Sequence, residues 1–110
     1  MSLKIFSLPS FARDVKRLHK KYKNLPADLK RLQDTLTNDP RAGVALTASL
    51  HKLRLSNSST ATGKSGGFRV IYYYIDRRGH LYLLKLYSKT EVAGISEDTL
   101  KAILQENGLA

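Results

Sequence analysis

Lys52 and Arg54 stand two residues apart in Leu50-His51-Lys52-Leu53-Arg54-Leu55, so on an extended chain both project to one side. Downstream, Gly67-Phe68-Arg69-Val70-Ile71-Tyr72-Tyr73 sets an arginine at a strand entrance, behind a glycine-rich basic segment that contains Lys64. A third run, Leu83-Leu84-Lys85-Leu86-Tyr87-Ser88-Lys89-Thr90-Glu91, leaves a strand through polar residues. Cations standing on one face of a sheet suit a bound phosphodiester. A guanidinium grips two phosphate oxygens at once and keeps its charge at any working pH. The pattern points to RNA chemistry.

Cleavage of RNA by its own 2′-hydroxyl needs in-line geometry, proton transfer at the attacking and leaving oxygens, and stabilised charge on the phosphorane. Arg69 suits the charge-stabilising role. Neighbouring cations lower a lysine's pKa, which would let Lys52 act as a general base while Arg54 binds phosphate. If the chain stays extended past Ser88, Lys89 and Glu91 share one side. Lys89 then contacts the phosphate or the leaving group. Glu91 is either a general base or a partner that orients a nearby cation. Tyr73 and Tyr87 either stack on bases or pack within the sheet.

His51 falls on the face opposite Lys52 and is expected to be buried or to face a partner. His19 and His80 are isolated, and no histidine pair has ligand spacing, so neither a metal nor any other cofactor is expected. The chain has no cysteine, which excludes disulfides, thiolate metal sites and cysteine nucleophiles.

Nineteen Lys and Arg against nine Asp and Glu give 110 residues a formal charge of +10. Such a field draws polyanions. The length suits a single domain covering residues 1–110. Neither a signal peptide nor a membrane span is legible, so a cytoplasmic protein is the default reading.

The elements that must hold these residues follow from periodicity. Leu3 to Leu8 alternates as a short strand stopped by Pro9. Ser10 is placed to cap a helix with Phe11, Val15, Leu18 and Tyr22 on one stripe and Arg13, Lys16, Arg17, Lys20 and Lys21 elsewhere. A second helix carries Leu25, Leu29, Leu32 and Leu36, and ends before Pro40 and Gly43. From Leu50 the period becomes two, giving strands over Leu50–Asn57, Phe68–Asp76 and Leu81–Ser88, with a turn at Arg77-Arg78-Gly79. Asn57 to Gly67 reads as a loop. Ser96 caps a last helix bearing Leu100, Ile103 and Leu104, terminated by Gly108. The order β-α-α-β-β-β-α predicts an α+β domain. Its curved antiparallel sheet would carry the two N-terminal helices on one face and leave the other face as a shallow site.

The runs at Leu50–Leu55, Gly67–Tyr73 and Leu83–Glu91 resemble the RelE/HigB group of bacterial toxin–antitoxin toxins, within the RelE/ParE superfamily and closest to its HigB-like members. The resemblance implies a metal-independent, ribosome-dependent endoribonuclease that cuts mRNA in the A site by 2′-hydroxyl attack. It implies an antitoxin protein as partner, and roles at the bound RNA for Lys52, Arg54, Arg69 and Lys89. Arg13, Lys16 and Lys20 would then face ribosomal RNA, and Lys64 the message. The Lys89-Thr90-Glu91 exit is less basic than that of RelE, and a tyrosine that RelE carries a few residues later has no counterpart in Val92–Ser96. Two other readings stay open: a ParE-like toxin acting on gyrase, and a non-catalytic RNA-binding protein.

Overall fold

The structure, a computed structural model, describes residues 3–60 and 67–110. Its elements are β1 (Lys4–Ser7), α1 (Pro9–Lys21), α2 (Leu25–Asn38), β2 (Val44–Ala45), β3 (Leu50–Leu55), β4 (Phe68–Ile75), β5 (His80–Ser88) and α3 (Glu97–Glu106). The strands form one sheet in the order β1-β5-β4-β3-β2. An antiparallel sheet was expected, but this one is mixed: β1 runs parallel to β5 while the other pairs are antiparallel. The helices carry the chain from β1 to the far edge, and three antiparallel steps then return β5 in the direction of β1. The sheet is also not strongly curled.

β2 is an unexpected fifth strand. At two residues it is too short to show a period. A Cβ at Gly43 would lie 2.7 Å from the Lys52 carbonyl oxygen, so only glycine lets the chain pass this close to β3. The Gly43 N–H donates to the Tyr72 hydroxyl at 3.1 Å.

One bulge sets which side chains reach which face. Ile71 pairs with Lys85 and Tyr72 with Leu83, so Leu84 has no partner on β4. The extra residue re-phases the strand. Leu81, Leu83 and Leu86 join the core beneath α1 and α2, with Phe11, Leu18, Leu25, Leu32, Leu36, Phe68, Val70 and Tyr72. Leu84 and Tyr87 join the opposite core with Leu50 and Ile71, beneath Leu100, Ile103 and Leu104 of α3. The second face is therefore partly covered by α3 rather than left free. Ser96 caps α3 as its sequence predicts, its Oγ accepting the Thr99 N–H at 3.1 Å.

α1 begins differently from expectation. Leu8 is its N-cap and Pro9 its first residue, because proline's fixed φ and missing N–H suit that position. Ser10 instead donates from Oγ to the Leu84 carbonyl at 2.6 Å. β1 covers β5 only as far as Leu83, and α1 takes over the exposed edge beyond it. There Asp14, buried to 6 % exposure, accepts the Leu86 backbone N–H at 2.9 Å and the Lys85 ammonium at 3.0 Å.

Candidate nucleic-acid interface

The site lies near one end of the sheet, on the face that carries α3. Arg54 of β3 pairs with Arg69 of β4, and Arg69 with Tyr87 of β5. Side chains directly opposite each other in neighbouring strands stand on the same face. The three therefore form one cross-strand row. Lys52 lies one row further along, paired with Ile71. Three of the cations read from sequence are thus brought onto one surface. Burial deepens along the row: Arg54 is exposed, Arg69 retains 5 % of its surface and Tyr87 2 %. Arg69 donates from Nη1 to the Phe68 carbonyl at 3.2 Å. Tyr87 presents no ring face to solvent, so a base has nothing to stack on there in this conformation. Burial raises the Tyr87 phenol above the usual range, and the nearby Arg69 charge works against that shift.

Lys52 and Arg54 also line an open groove of about 500 Å³ with Gly43, Val44, Leu46 and Leu53. Tyr73 is half-buried, and its hydroxyl donates to the Leu109 carbonyl at 3.4 Å beyond α3. Lys64 lies outside the described residues. His51, on the helix side, is buried and stacks on Tyr72 with ring centroids 5.1 Å apart.

The exit from β5 differs from the extended path expected. The strand ends at Ser88 and the chain turns at once, with the Glu91 N–H donating to the Ser88 carbonyl at 3.0 Å. The turn removes the period-two relation between Lys89 and Glu91 on which their shared side depended. Lys89 is exposed. Glu91 is drawn to α1 instead, where it accepts from Arg17 at 2.9 Å. Arg17 also lies 3.8 Å from Asp14. Arg13, Lys16 and Lys20 are exposed on α1.

Three residues of this exit escaped the sequence reading. Arg17 reads from sequence as one more cation of the basic helix face expected against ribosomal RNA. Asp14 sits three residues after Phe11 and four before Leu18, and an acid on an apolar stripe is a legible sign of a buried partner. Tyr22 reads as core and is so packed, edge-on to Phe68 at 5.4 Å. Its hydroxyl also engages the strand exit: a hydrogen bond with Ser88 holds the phenol below its usual range, burial opposes this, and Lys21 and Thr90 reinforce it. Among the described residues no cluster of three or more His, Cys, Asp or Glu side chains could hold a metal ion, and no helix is long and apolar enough to cross a membrane.

No family model matches the chain. Solved structures do. An arginine-to-alanine double mutant of Escherichia coli RelE in the free state superimposes with a TM-score of 0.60 over 96 % of this chain and 98 % of that one, at 12 % identity. The chain has the RelE fold. RelE in the RelE–RelB complex of Pyrococcus horikoshii matches with a TM-score of 0.55 over 84 % of this chain and all of its own length, at 17 % identity. The same E. coli mutant bound to an antitoxin RelB peptide gives a TM-score of 0.56 at 19 % identity, over 93 % of this chain and 95 % of that one. At these identities the likeness concerns the RelE fold, and the chemistry rests on this chain's own side chains.

Proposed function

We propose that this protein is the toxin of a toxin–antitoxin module, a metal-independent endoribonuclease that cuts mRNA in the ribosomal A site. The observation that carries this reading is the row of Arg54 and Arg69 beside Lys52 on one face of a RelE-fold sheet. The net charge of +10 supports a polyanionic partner.

In the reaction the message's 2′-hydroxyl attacks the adjacent phosphorus, the bond to the 5′-oxygen of the next nucleotide breaks, and a 2′,3′-cyclic phosphate remains. Arg54, at the exposed end of the row, binds the phosphodiester. Arg69 stabilises the charge that grows on the non-bridging oxygens, where a preorganised cation in a dry site is worth most. Lys52 takes the 2′-hydroxyl proton as general base. Lys89, exposed just past the strand end, meets the leaving-group side. Glu91 acts as an orienting partner, its carboxylate accepting from Arg17. Tyr73 and Lys64 contact the message. Arg13, Lys16 and Lys20 on α1 bind ribosomal RNA.

An antitoxin is the second partner. RelE is found with RelB in the Pyrococcus complex, and an acidic counterpart here would complement the basic face.

Primer extension on a defined message in a cell-free translation system tests the reading. Cuts confined to A-site codons and dependent on ribosomes are expected. Cutting of naked RNA would mean a ribosome-independent nuclease. No cutting by folded protein would overturn the reading and make gyrase inhibition the next assay.

A further inference from the structure

The Tyr87 hydroxyl is the one buried side-chain polar atom among the described residues without a hydrogen-bond partner. That is an expensive omission for a fold, since a buried hydroxyl loses its water and gains nothing in return. Other tyrosines of the same sheet and its helices are satisfied. Tyr72 accepts from the Gly43 N–H at 3.1 Å, Tyr22 is bonded with Ser88, and Tyr73 donates to the Leu109 carbonyl at 3.4 Å. Phenylalanine would fill the position of Tyr87 among Leu84, Ile71 and Leu100 without leaving an oxygen unpaired. Packing alone does not explain the hydroxyl.

Its surroundings do. Tyr87 is the innermost member of the row that begins with exposed Arg54 and passes through Arg69. We propose that the Tyr87 hydroxyl is a hydrogen-bond donor held in reserve for a phosphodiester, completing with Arg54 and Arg69 a three-point site for the non-bridging oxygens. The inference rests on the phosphodiester reading of the row and gives Tyr87 a role different from base stacking. A phosphate approaching over Arg54 meets the row in the order Arg69, then Tyr87, and reaches the phenol only by displacing what closes it from solvent in the free protein. A phenol is neutral through the neutral range, and burial raises this one further against the pull of the Arg69 charge, so it donates and does not compete as an anion. A hydrogen bond to a charged acceptor is stronger than one between neutral groups. The oxygen left unpaired in the free protein thereby acquires its partner on binding.

Tyr87→Phe in the full chain separates this role from packing, because it keeps the ring and removes only the oxygen. Two readouts are needed: the thermal midpoint with single-turnover cutting of ribosome-bound message, and the affinity for a non-cleavable 2′-deoxy trinucleotide. The variant is expected to melt at or above the wild-type temperature, by as much as about 4 °C. Its cutting should fall and its trinucleotide affinity should weaken, each about tenfold or more. Wild-type cutting and affinity in Tyr87→Phe would overturn the proposal. So would a lowered melting temperature, which would show the hydroxyl already engaged within the fold. If the wild type binds the trinucleotide more tightly than the variant yet cuts no message, the nuclease reading fails and the site stands. If the wild type does neither, both fall.

Discussion

The Asp14 carboxylate accepts the Leu86 backbone N–H at 2.9 Å, so a helix side chain closes the edge of β5 where β1 stops. An unpaired strand edge is otherwise a template for unwanted pairing. The same carboxylate holds Lys85 at 3.0 Å and fixes α1 against the strand that leads to Lys89. Asp14→Ala leaves the N–H and the ammonium without their acceptor. It should cost about 2–4 kcal/mol, read as a lower urea midpoint at unchanged slope. A loss under about 0.5 kcal/mol would show that water replaces the carboxylate freely.

Gly43 is the second structural test. A methyl group there would meet the Lys52 carbonyl oxygen at 2.7 Å, and the backbone of β3 cannot give way without disturbing its pairing with β4. Gly43→Ala should destabilise by about 1–3 kcal/mol in urea unfolding. It should also weaken RNA cutting, because Lys52 shares that backbone. Unchanged stability would mean that β2 is free to move off β3.

Glu91 and Arg17 form a half-exposed pair at 2.9 Å, and such pairs contribute little to stability. A double-mutant cycle should return a coupling of about 0.2–1 kcal/mol. The functional consequence is sharper. Glu91→Gln should retain most of the cutting rate, whereas removal of a general base would lose about 10²-fold or more. A loss of that size with unchanged folding would make Glu91 the base and displace Lys52 from that role.

The exposed cations of α1 are tested by salt. If Arg13, Lys16 and Lys20 contact ribosomal phosphates, the triple alanine variant should bind ribosomes with a log–log salt slope shallower by about 2–3. A parallel line, lower or not, would make that face merely solvated.

Much of this architecture is written locally in the chain. The alternation from Leu50 and through Phe68–Ile75 marks β3 and β4, and Ser96 with the following acids marks the start of α3. Lys52 and Arg54 could be placed together because a period-two strand puts them on one face whatever its neighbours, whereas Arg69 joins that face only through the register of β3 with β4. What stayed hidden depends on contacts distant in sequence. The bulge at Leu84 leaves an ordinary apolar run, so the burial of Tyr87 could not be read from it. Ser10 looks like a helix cap, but Pro9 already fits the first turn and the hydroxyl goes to Leu84. The turn after Ser88 breaks the extended path that would have aligned Lys89 with Glu91. β2 is too short for any pattern. The parallel placement of β1 follows from the return of the whole chain, which no local signal records.

The proposed function turns on Arg69 stabilising the phosphorane formed from A-site mRNA. Single-turnover cutting of a defined ribosome–message complex by wild type and Arg69→Ala measures it, with circular dichroism confirming that both are folded. A fall of about 10²–10³-fold in the cutting rate, with cuts still at the A-site codon, is the predicted result. Equal rates from the two folded proteins would contradict it and place the chemistry elsewhere.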